Sequence, residues 1–347
     1  MNDRSRMRVS CIMPADLPRD LRERWKIHQE GDPNLESPCF RPEFTEIMAG
    51  ARSDAFVAVA DDGAGFLPFH REAYNAGVAR PIGANLSDFH GVICPPDYVF
   101  DPVKLVRGAG LAGWEFSRLP ASQSAFAPFA SNRLDSMRVD LALWPERATQ
   151  LSKENQQRRK LAREIGPLEL EWDCKDIEVF RQLMTWKSAQ YVRTGMRDIT
   201  KDAWAMQALT DINQRADPEF AGVLSVLRAG GQIVSINFSM SSRKVLQPWI
   251  PAYDPAFAKY RAGTTLWLCL LDEAVNRGFE SAHFSTGDAY YKTRIGTSTV
   301  PVLAGVVTTN PWTAALRHAR KTASSIVQKT PLRAPAAAFL SRVRRGK

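Results

Sequence analysis

The sequence contains no apolar run that approaches the ~20 residues a helix needs to cross a bilayer. Its first twenty residues carry charges throughout and have no apolar core of the kind found in secretory leaders, so we expect a cytoplasmic protein. The five cysteines, at positions 11, 39, 94, 174 and 269, form no Cys-x-x-Cys pair and no cluster with histidine. We therefore expect reduced thiols and no metal site.

Acidic residues are absent after Asp288. Residues 289–347 contain eleven Lys or Arg, whereas the whole chain has a formal charge of +9, so the rest carries about −2. The sequence pI of about 9.4 is therefore a property of the C-terminal end. A uniformly basic surface is not required to explain it, and we expect no DNA partner.

The basic segment 311–347 is rich in alanine, and Trp312, Leu316 and Ala319 have helical spacing. Three interpretations stay open for this tail. It could lie on anionic lipid at the inner face of the membrane, contact a subunit of a synthase, or be a solvated end.

Strands and helices alternate along the chain in two similar patterns, which is typical of an α/β protein. The first pattern is a hairpin (54–70), an extended stretch (79–94), a helix (101–113) and a strand (114–119). The second is a hairpin (222–242), a strand (244–254), a helix (263–277) and a strand (281–285). Polar and amphipathic helices at 152–166 and 176–195 join them, so the sequence predicts a duplicated fold.

Several segments, taken in order, resemble the CelD-type acyltransferases of the GNAT superfamily, also described as cellulose-biosynthesis or BioF2-like acetyltransferases. They are ESPCFRPEF (36–44), LPF (67–69), PIGANLSDFHG (81–91), the helix with Arg158, Arg159 and Arg163, WKSAQYVRTG (186–195), YDPAFAKYRAGTTLW (253–267) and STGDAYYKTRIG (285–296). The resemblance spans roughly residues 20 to 305. It implies an α/β (α+β) protein of two tandem GNAT-like domains, similar to Fem-type transferases, each a mixed, mostly antiparallel sheet flanked by helices. We expect them at 1–150 and 151–310, followed by the basic tail.

The resemblance also implies acyl transfer from acetyl-CoA or another acyl-CoA. The start of a helix exposes unpaired N–H groups and the positive end of its dipole, which suits a diphosphate. The implied cofactor-binding residues, at the start of helix 263–277, are Lys259, Arg261, Ala262, Gly263 and Thr264. The loop departs from the usual Gln/Arg-x-x-Gly-x-Gly/Ala signature, because Tyr260 and Thr265 stand at two of its positions.

The segment after the last predicted strand corresponds to the acid-bearing segment of GNAT proteins. Asp288 is the candidate for acceptor binding or general base, and Tyr291 for general acid, with Lys292 orienting charge. The structural alternative is that Tyr291 packs on the sheet and that Lys292 is an exposed ion at the surface.

Five further residues are candidates for binding the acceptor. They are Asp88, His90, Lys187, Tyr191 and Tyr253. Lys187 and Tyr191 are four residues apart and share one face of a helix. For each candidate a purely structural role is the alternative, and His283 is expected to be a satisfied core residue.

The leading hypothesis is acyl transfer to an amine or hydroxyl of a small-molecule or saccharide acceptor in exopolysaccharide or cell-envelope metabolism. The first alternative is a Fem-like transfer from aminoacyl-tRNA. The second is a non-catalytic accessory protein with a GNAT fold. A serine hydrolase is disfavoured, because the sequence has no Gly-x-Ser-x-Gly motif.

Overall fold

The computed structural model describes residues 7–73, 75–287 and 289–310. The predicted fold class is confirmed: a mostly antiparallel sheet is flanked by helices on both faces. The basic tail, with the interpretations given for it above, lies outside the described residues.

The helices differ widely in length, and the longest is the amphipathic helix predicted at 176–195. In chain order they are α1 (Arg19–Gly31), α2 (Pro42–Ala51), α3 (Pro102–Gly108), α4 (Trp144–Gln150), α5 (Ser152–Glu164), α6 (Ile177–Thr194), α7 (Ala203–Asn213), α8 (Ala262–Asn276) and α9 (Tyr290–Ile295). Short 3-10 helices also occur, and the one at Pro255–Tyr260 leads into α8.

The strands form one continuous sheet. They are β1 (Val9–Ile12), β2 (Ala55–Ala60), β3 (Gly65–His70), β4 (Val78–Pro81), β5 (Gly113–Pro120), β6 (Ala130–Asp140), β7 (Leu168–Glu171), β8 (Ala216–Asp217), β9 (Phe220–Ala229), β10 (Gln232–Ser242), β11 (Val245–Tyr253), β12 (Ser281–Thr286) and β13 (Ser298–Thr308). Their order is β1-β2-β3-β4-β5-β13-β6-β12-β11-β10-β9-β7, and β8 pairs with β9 outside this path.

The repeated order predicted from the sequence is present. Hairpin β2–β3, strand β4, helix α3 and strand β5 correspond to hairpin β9–β10, strand β11, helix α8 and strand β12. In both halves the last two strands are parallel, while the hairpin and its neighbour are antiparallel. The domain limits at 150 and 310 stay a prediction.

Strand β13 connects the two halves of the sheet. It follows α9 in the chain, but it pairs with β5 on one side and with β6 on the other. Strand β6 in turn pairs with β12. Local sequence patterns do not predict β6 or β13, because the partner strands of both lie far away in the chain.

The extended stretch predicted at 79–94 is a short strand followed by a turn. Strand β4 ends at Pro81, and Gly83 and Ala84 then have left-handed φ values of 72° and 46°. Two consecutive left-handed residues reverse the chain direction and stop the strand. The turn directs residues 87–90 toward the second half of the molecule.

Helices α6 and α8 lie on opposite faces of the sheet. Leu224 and Val226 of β9 pack in one core cluster with Phe180 of α6. Leu227 and Ala229 of the same strand pack in another cluster that includes α8. Because alternate residues of a strand point to opposite faces, the two helices cover the two sides.

Candidate functional site

The parallel strands β11 and β12 pair only at their beginnings. Their register contains two pairs, Val245 with Ser281 and Leu246 with Ala282. Beyond these pairs β11 continues to Tyr253 and β12 to Thr286, and the two strands no longer pair with each other. The two strands therefore enclose a wedge-shaped opening in the sheet.

A β-bulge in β11 shapes one side of this opening. Ser239 of β10 is opposite Pro248 and Phe238 is opposite Ile250, so Trp249 has no partner in the register. Trp249 is therefore the extra residue of the bulge, where the regular alternation of backbone N–H and C=O groups along the strand is interrupted. The carbonyl of Pro251, two residues beyond Trp249, accepts a hydrogen bond from Lys187 Nζ at 3.1 Å.

Helix α8 begins at the mouth of the opening. Asp254 caps the preceding 3-10 turn by accepting a hydrogen bond from the Ala256 N–H at 2.8 Å. Arg261 has a left-handed φ of 53°, which turns the chain into α8. Its carbonyl accepts the N–H groups of Thr264 and Thr265. The two residues before them, Ala262 and Gly263, begin this 15-residue helix and line the mouth, and the first N–H groups of a helix have no partner within it.

A cavity of about 730 Å³ lies between the open strand ends, α6 and the start of α8. Nine of the predicted site residues line it: Asp88, Lys187, Tyr253, Arg261, Ala262, Gly263, Thr264, Tyr291 and Lys292. They come from both halves of the chain, and the fold brings them to one place. The cavity is large enough to hold part of a nucleotide-sized ligand.

Gly263 lies at the mouth of the cavity beside the ring of Tyr253. A Cβ at Gly263 would meet Tyr253 Cδ1 at 3.4 Å, an ordinary van der Waals contact. Its backbone conformation does not require glycine, because its φ is not positive. Glycine at this position therefore either lets a ligand come close to the backbone or has no particular role.

Tyr291 lines the cavity from α9 and stacks on Trp267 of α8, with ring centroids 5.8 Å apart. Burial, together with the nearby Asp88 carboxylate, raises the pKa of Tyr291 to about 12. The phenol is therefore protonated at neutral pH and can donate a proton.

Lys292 is buried and makes two hydrogen bonds that hold its ammonium group. Its Nζ donates to the carbonyls of Ser285 at 3.2 Å and Thr286 at 2.7 Å. Burial lowers the pKa of Lys292, while Asp88 opposes that change. The side chain thus fixes the end of β12, where Ser285 has a left-handed φ of 58°.

Asp88 reaches the cavity from the first half of the chain. Its side chain accepts hydrogen bonds from Ser285 Oγ at 2.8 Å and from Gln247 Nε2 at 3.4 Å. Arg118 lies 4.0 Å from the same carboxylate. Asp88 therefore bridges the first part of β11 and the end of β12, and it is only 8% exposed.

Lys187 reaches the cavity from α6 on the other face of the sheet. Besides its hydrogen bond to Pro251, its Nζ lies 5.2 Å from the centre of the Tyr191 ring. Burial lowers the pKa of Lys187 to about 8. Tyr191 does not line the cavity, and burial raises its pKa to about 12, with Asp198 and Asp88 adding to the effect.

Two other candidates, Lys259 and His90, lie outside this cavity. The Nζ of Lys259 lies 4.8 Å from the centre of the Tyr260 ring. The buried His90 accepts two backbone N–H groups with Nε2, at 2.9 Å and 3.0 Å, and burial with Arg118 lowers its pKa to about 3. Asp288 lies outside the described residues.

His283 is buried, as expected of a core residue, but it lines a second cavity of about 280 Å³. Its Nε2 lies 2.8 Å from Glu36 Oε1. Its Nδ1 has no hydrogen-bond partner among the described residues. Only one of its two ring nitrogens is therefore satisfied.

Four residues at this cavity were not predicted from the sequence: Trp249, Trp267 and Ser285 line it, and Gln247 donates a hydrogen bond to Asp88. A signal for Trp249 is present, since Pro248 and Pro251 flank it in a strand, and proline inside a strand indicates a bulge or an unpaired edge. Gln247 and Ser285 could not be recognised, because their partner Asp88 is more than 150 residues away in the chain.

Two other features concern metal sites and membrane spans. Within the described parts of the chain, no three His, Cys, Asp or Glu side chains lie close enough together to hold a metal ion. In the same ranges, no helix combines the length and the apolar character that a membrane span requires.

Comparisons with known proteins agree with this geometry. Residues 150–293 match the family model of an acetyltransferase (GNAT) domain. No curated protein is significantly similar to the chain in sequence. Among solved structures, FemX is 10% identical with a TM-score of 0.56, and the alignment covers 87% of this chain and 98% of FemX.

Two more solved structures have the same fold. The C-terminal domain of a proposed lysylphosphatidylglycerol synthetase from Agrobacterium fabrum is 15% identical, with a TM-score of 0.57 and coverage of 87% of this chain and 95% of that domain. A tandem GNAT protein from the clavulanic acid biosynthesis pathway is 10% identical, with a TM-score of 0.51 and coverage of 88% and 99%. Together with the domain match, the fold supports an acyltransferase. The CelD-type resemblance stays a prediction.

Proposed function

We propose that this GNAT-fold protein transfers an acyl group from acyl-CoA to an amine or hydroxyl of a saccharide or other cell-envelope acceptor. The observation that carries the proposal is the meeting of three groups in one cavity. These are the amide-lined start of α8, the bulged edge of β11 at Trp249 and the protonated phenol of Tyr291.

The start of α8 has the properties that a diphosphate requires. Unpaired amides and the positive end of the helix dipole favour anions, and Arg261 lines the same wall. Gly263 leaves the backbone open to close approach. The residues present therefore fit the pyrophosphate of CoA, although Tyr260 and Thr265 depart from the usual loop signature.

The thioester of acyl-CoA would supply an activated carbonyl in the opening between β11 and β12. We infer that the backbone N–H of Trp249, the extra residue of the bulge, stabilises the negative charge that develops on the carbonyl oxygen. Tyr291 is the candidate for protonating the departing thiolate, as its pKa of about 12 keeps it protonated.

Calorimetry with acetyl-CoA tests the donor. Gly263→Glu adds a carboxylate at the start of α8, the proposed phosphate seat, without a steric clash. We expect this charge to weaken binding of acetyl-CoA at least ten-fold. Gly31→Glu, at the end of α1, is the matched control, because a Cβ there meets nothing within 4 Å. Its affinity should equal that of the unaltered chain.

A second donor deserves the same assay because FemX and a lysylphosphatidylglycerol synthetase domain share the fold. If millimolar acetyl-CoA produces no heat, the acyl-CoA proposal is wrong. Binding of an aminoacyl-tRNA would then favour Fem-like transfer. Binding of neither donor would favour a non-catalytic accessory role in exopolysaccharide synthesis.

A further inference from the structure

Lys187 lies on the side of the cavity that an acceptor would occupy. The start of α8, the proposed phosphate seat, is on one face of the sheet, and α6 is on the other. An acyl group in the opening between β11 and β12 would therefore have the donor's phosphates on one side and Lys187 on the other. The chain itself thus supplies a primary amine where an acceptor amine would be.

The surroundings of Lys187 favour the neutral amine. Among the described residues its hydrogen bond is to the uncharged carbonyl of Pro251, and no carboxylate contributes to the shift of its pKa. Burial lowers its pKa to about 8. At pH 8 about half of the molecules then carry a neutral Nζ, against about one in 300 for an unperturbed lysine.

The distance along β11 is short enough for reaction. Lys187 Nζ contacts the carbonyl of Pro251, two residues beyond Trp249. Two residues of an extended strand span about 7 Å. A change of side-chain rotamer can cover that distance, so Nζ can reach a carbonyl carbon held at the Trp249 N–H.

We propose that Lys187 Nζ is itself acylated by acyl-CoA bound in this cavity. This inference rests on the proposed function. The neutral amine attacks the thioester carbonyl, a C–N bond forms and the C–S bond breaks. The CoA thiolate leaves with the electron pair and takes up the proton that the amine loses. The products are an amide on Lys187 and free CoA.

The modification would regulate the enzyme, because an amide is stable and blocks the acceptor side of the opening. Lys292 lines the same cavity, but two carbonyls hold its ammonium group. We therefore expect acylation at Lys187 and not at Lys292. Titratable or charged groups around the site are Tyr191, Asp88, Tyr253, Arg261, Tyr291 and Lys292.

Mass spectrometry of the full chain after incubation with acetyl-CoA tests the proposal. We expect one acetyl group per chain, mapped by peptide analysis to Lys187, and none at that position in Lys187→Arg. The rate should rise with pH and level off above about 8. Acetyl-CoA binding by calorimetry with Lys187 left unmodified would overturn the inference and leave the proposed function intact.

A thioester without phosphates can test the reactivity of Lys187 even if the chain does not bind acetyl-CoA. If calorimetry detects no acetyl-CoA binding, the proposed function fails, and N,S-diacetylcysteamine, a thioester whose own amine is blocked, then decides the inference alone. Preferential acetylation of Lys187 by this compound supports a reactive lysine in the cavity. Acetylation spread over exposed lysines such as Lys244 overturns the proposal.

Discussion

Tyr291 shows how packing determines the chemistry of one side chain. Its ring stacks on Trp267, and the hydroxyl lies in a buried environment near Asp88. Both effects disfavour the phenolate, so the group is an acid across the physiological range. A general acid must be protonated when the leaving thiolate forms, and Tyr291 meets this condition.

Tyr291→Phe should lower acyl transfer by about 10²-fold, the lower end of what a general acid contributes. The stacked ring is retained, so the melting temperature should change little. Release of CoA from acetyl-CoA, measured with a panel of amine and sugar acceptors, checks the rate. Tyr290→Phe is the control, since Tyr290 is 62% exposed and does not line the cavity. Equal rates in all three proteins would remove Tyr291 from catalysis.

The candidate site could be predicted only where residues lie at the ends of neighbouring elements. Gly263 and Tyr291 follow a strand closely in the chain, so their positions follow from local patterns. The environment of Asp88 depends on Gln247 and Ser285 in the other half of the molecule. Such contacts depend on tertiary packing, which a local pattern does not contain.

The turn before α8 depends on a single capping side chain. Asp254 accepts the N–H of Ala256, and the 3-10 turn then leads into the left-handed Arg261. The position of the proposed phosphate seat is therefore set by this turn. A cap is worth about 1 kcal/mol in proteins.

Asp254→Ala should lower the stability by about 1 kcal/mol and weaken acetyl-CoA binding several-fold, because the turn loses its hydrogen bond. Asp101→Ala is a matched control. Asp101 caps α3 through the N–H groups of Val103 and Lys104, and it does not line the cavity. Denaturant unfolding should give similar losses for both variants, and calorimetry should show weaker binding only for Asp254→Ala. Weaker binding in both would mean that general destabilisation is responsible.

Elements with strong local signals were predicted well. Helix α8 was expected at 263–277 and is Ala262–Asn276, and the hairpin β9–β10 has its turn at Gly230 and Gly231 as expected. The stretch 79–94 was less regular than predicted, because left-handed residues at 83 and 84 end the strand. The splaying of β11 from β12 has only the indirect signal of Pro248 and Pro251.

Strands β12 and β13 join the two halves of the described chain in one sheet, and local sequence patterns did not predict β13. This strand of 11 residues pairs with β5 and β6 of the first half, although it follows the second half in the chain. Strand β12 of the second half also pairs with β6. Strands from both sides of residue 150 therefore pair with each other, and dividing the chain there would separate paired strands.

A fragment of residues 151–310 should not fold alone. It would lose β5 and β6, so both edges of β13 and one edge of β12 would have unpaired N–H and C=O groups, which favour aggregation. We expect the fragment to be insoluble or to unfold without cooperativity, whereas residues 1–310 melt as one unit. Co-expression of 1–150 with 151–310 should restore a soluble complex, because β13 can insert between β5 and β6. A fragment that melts cooperatively and binds acetyl-CoA by itself would contradict this view and make the second half an independent domain.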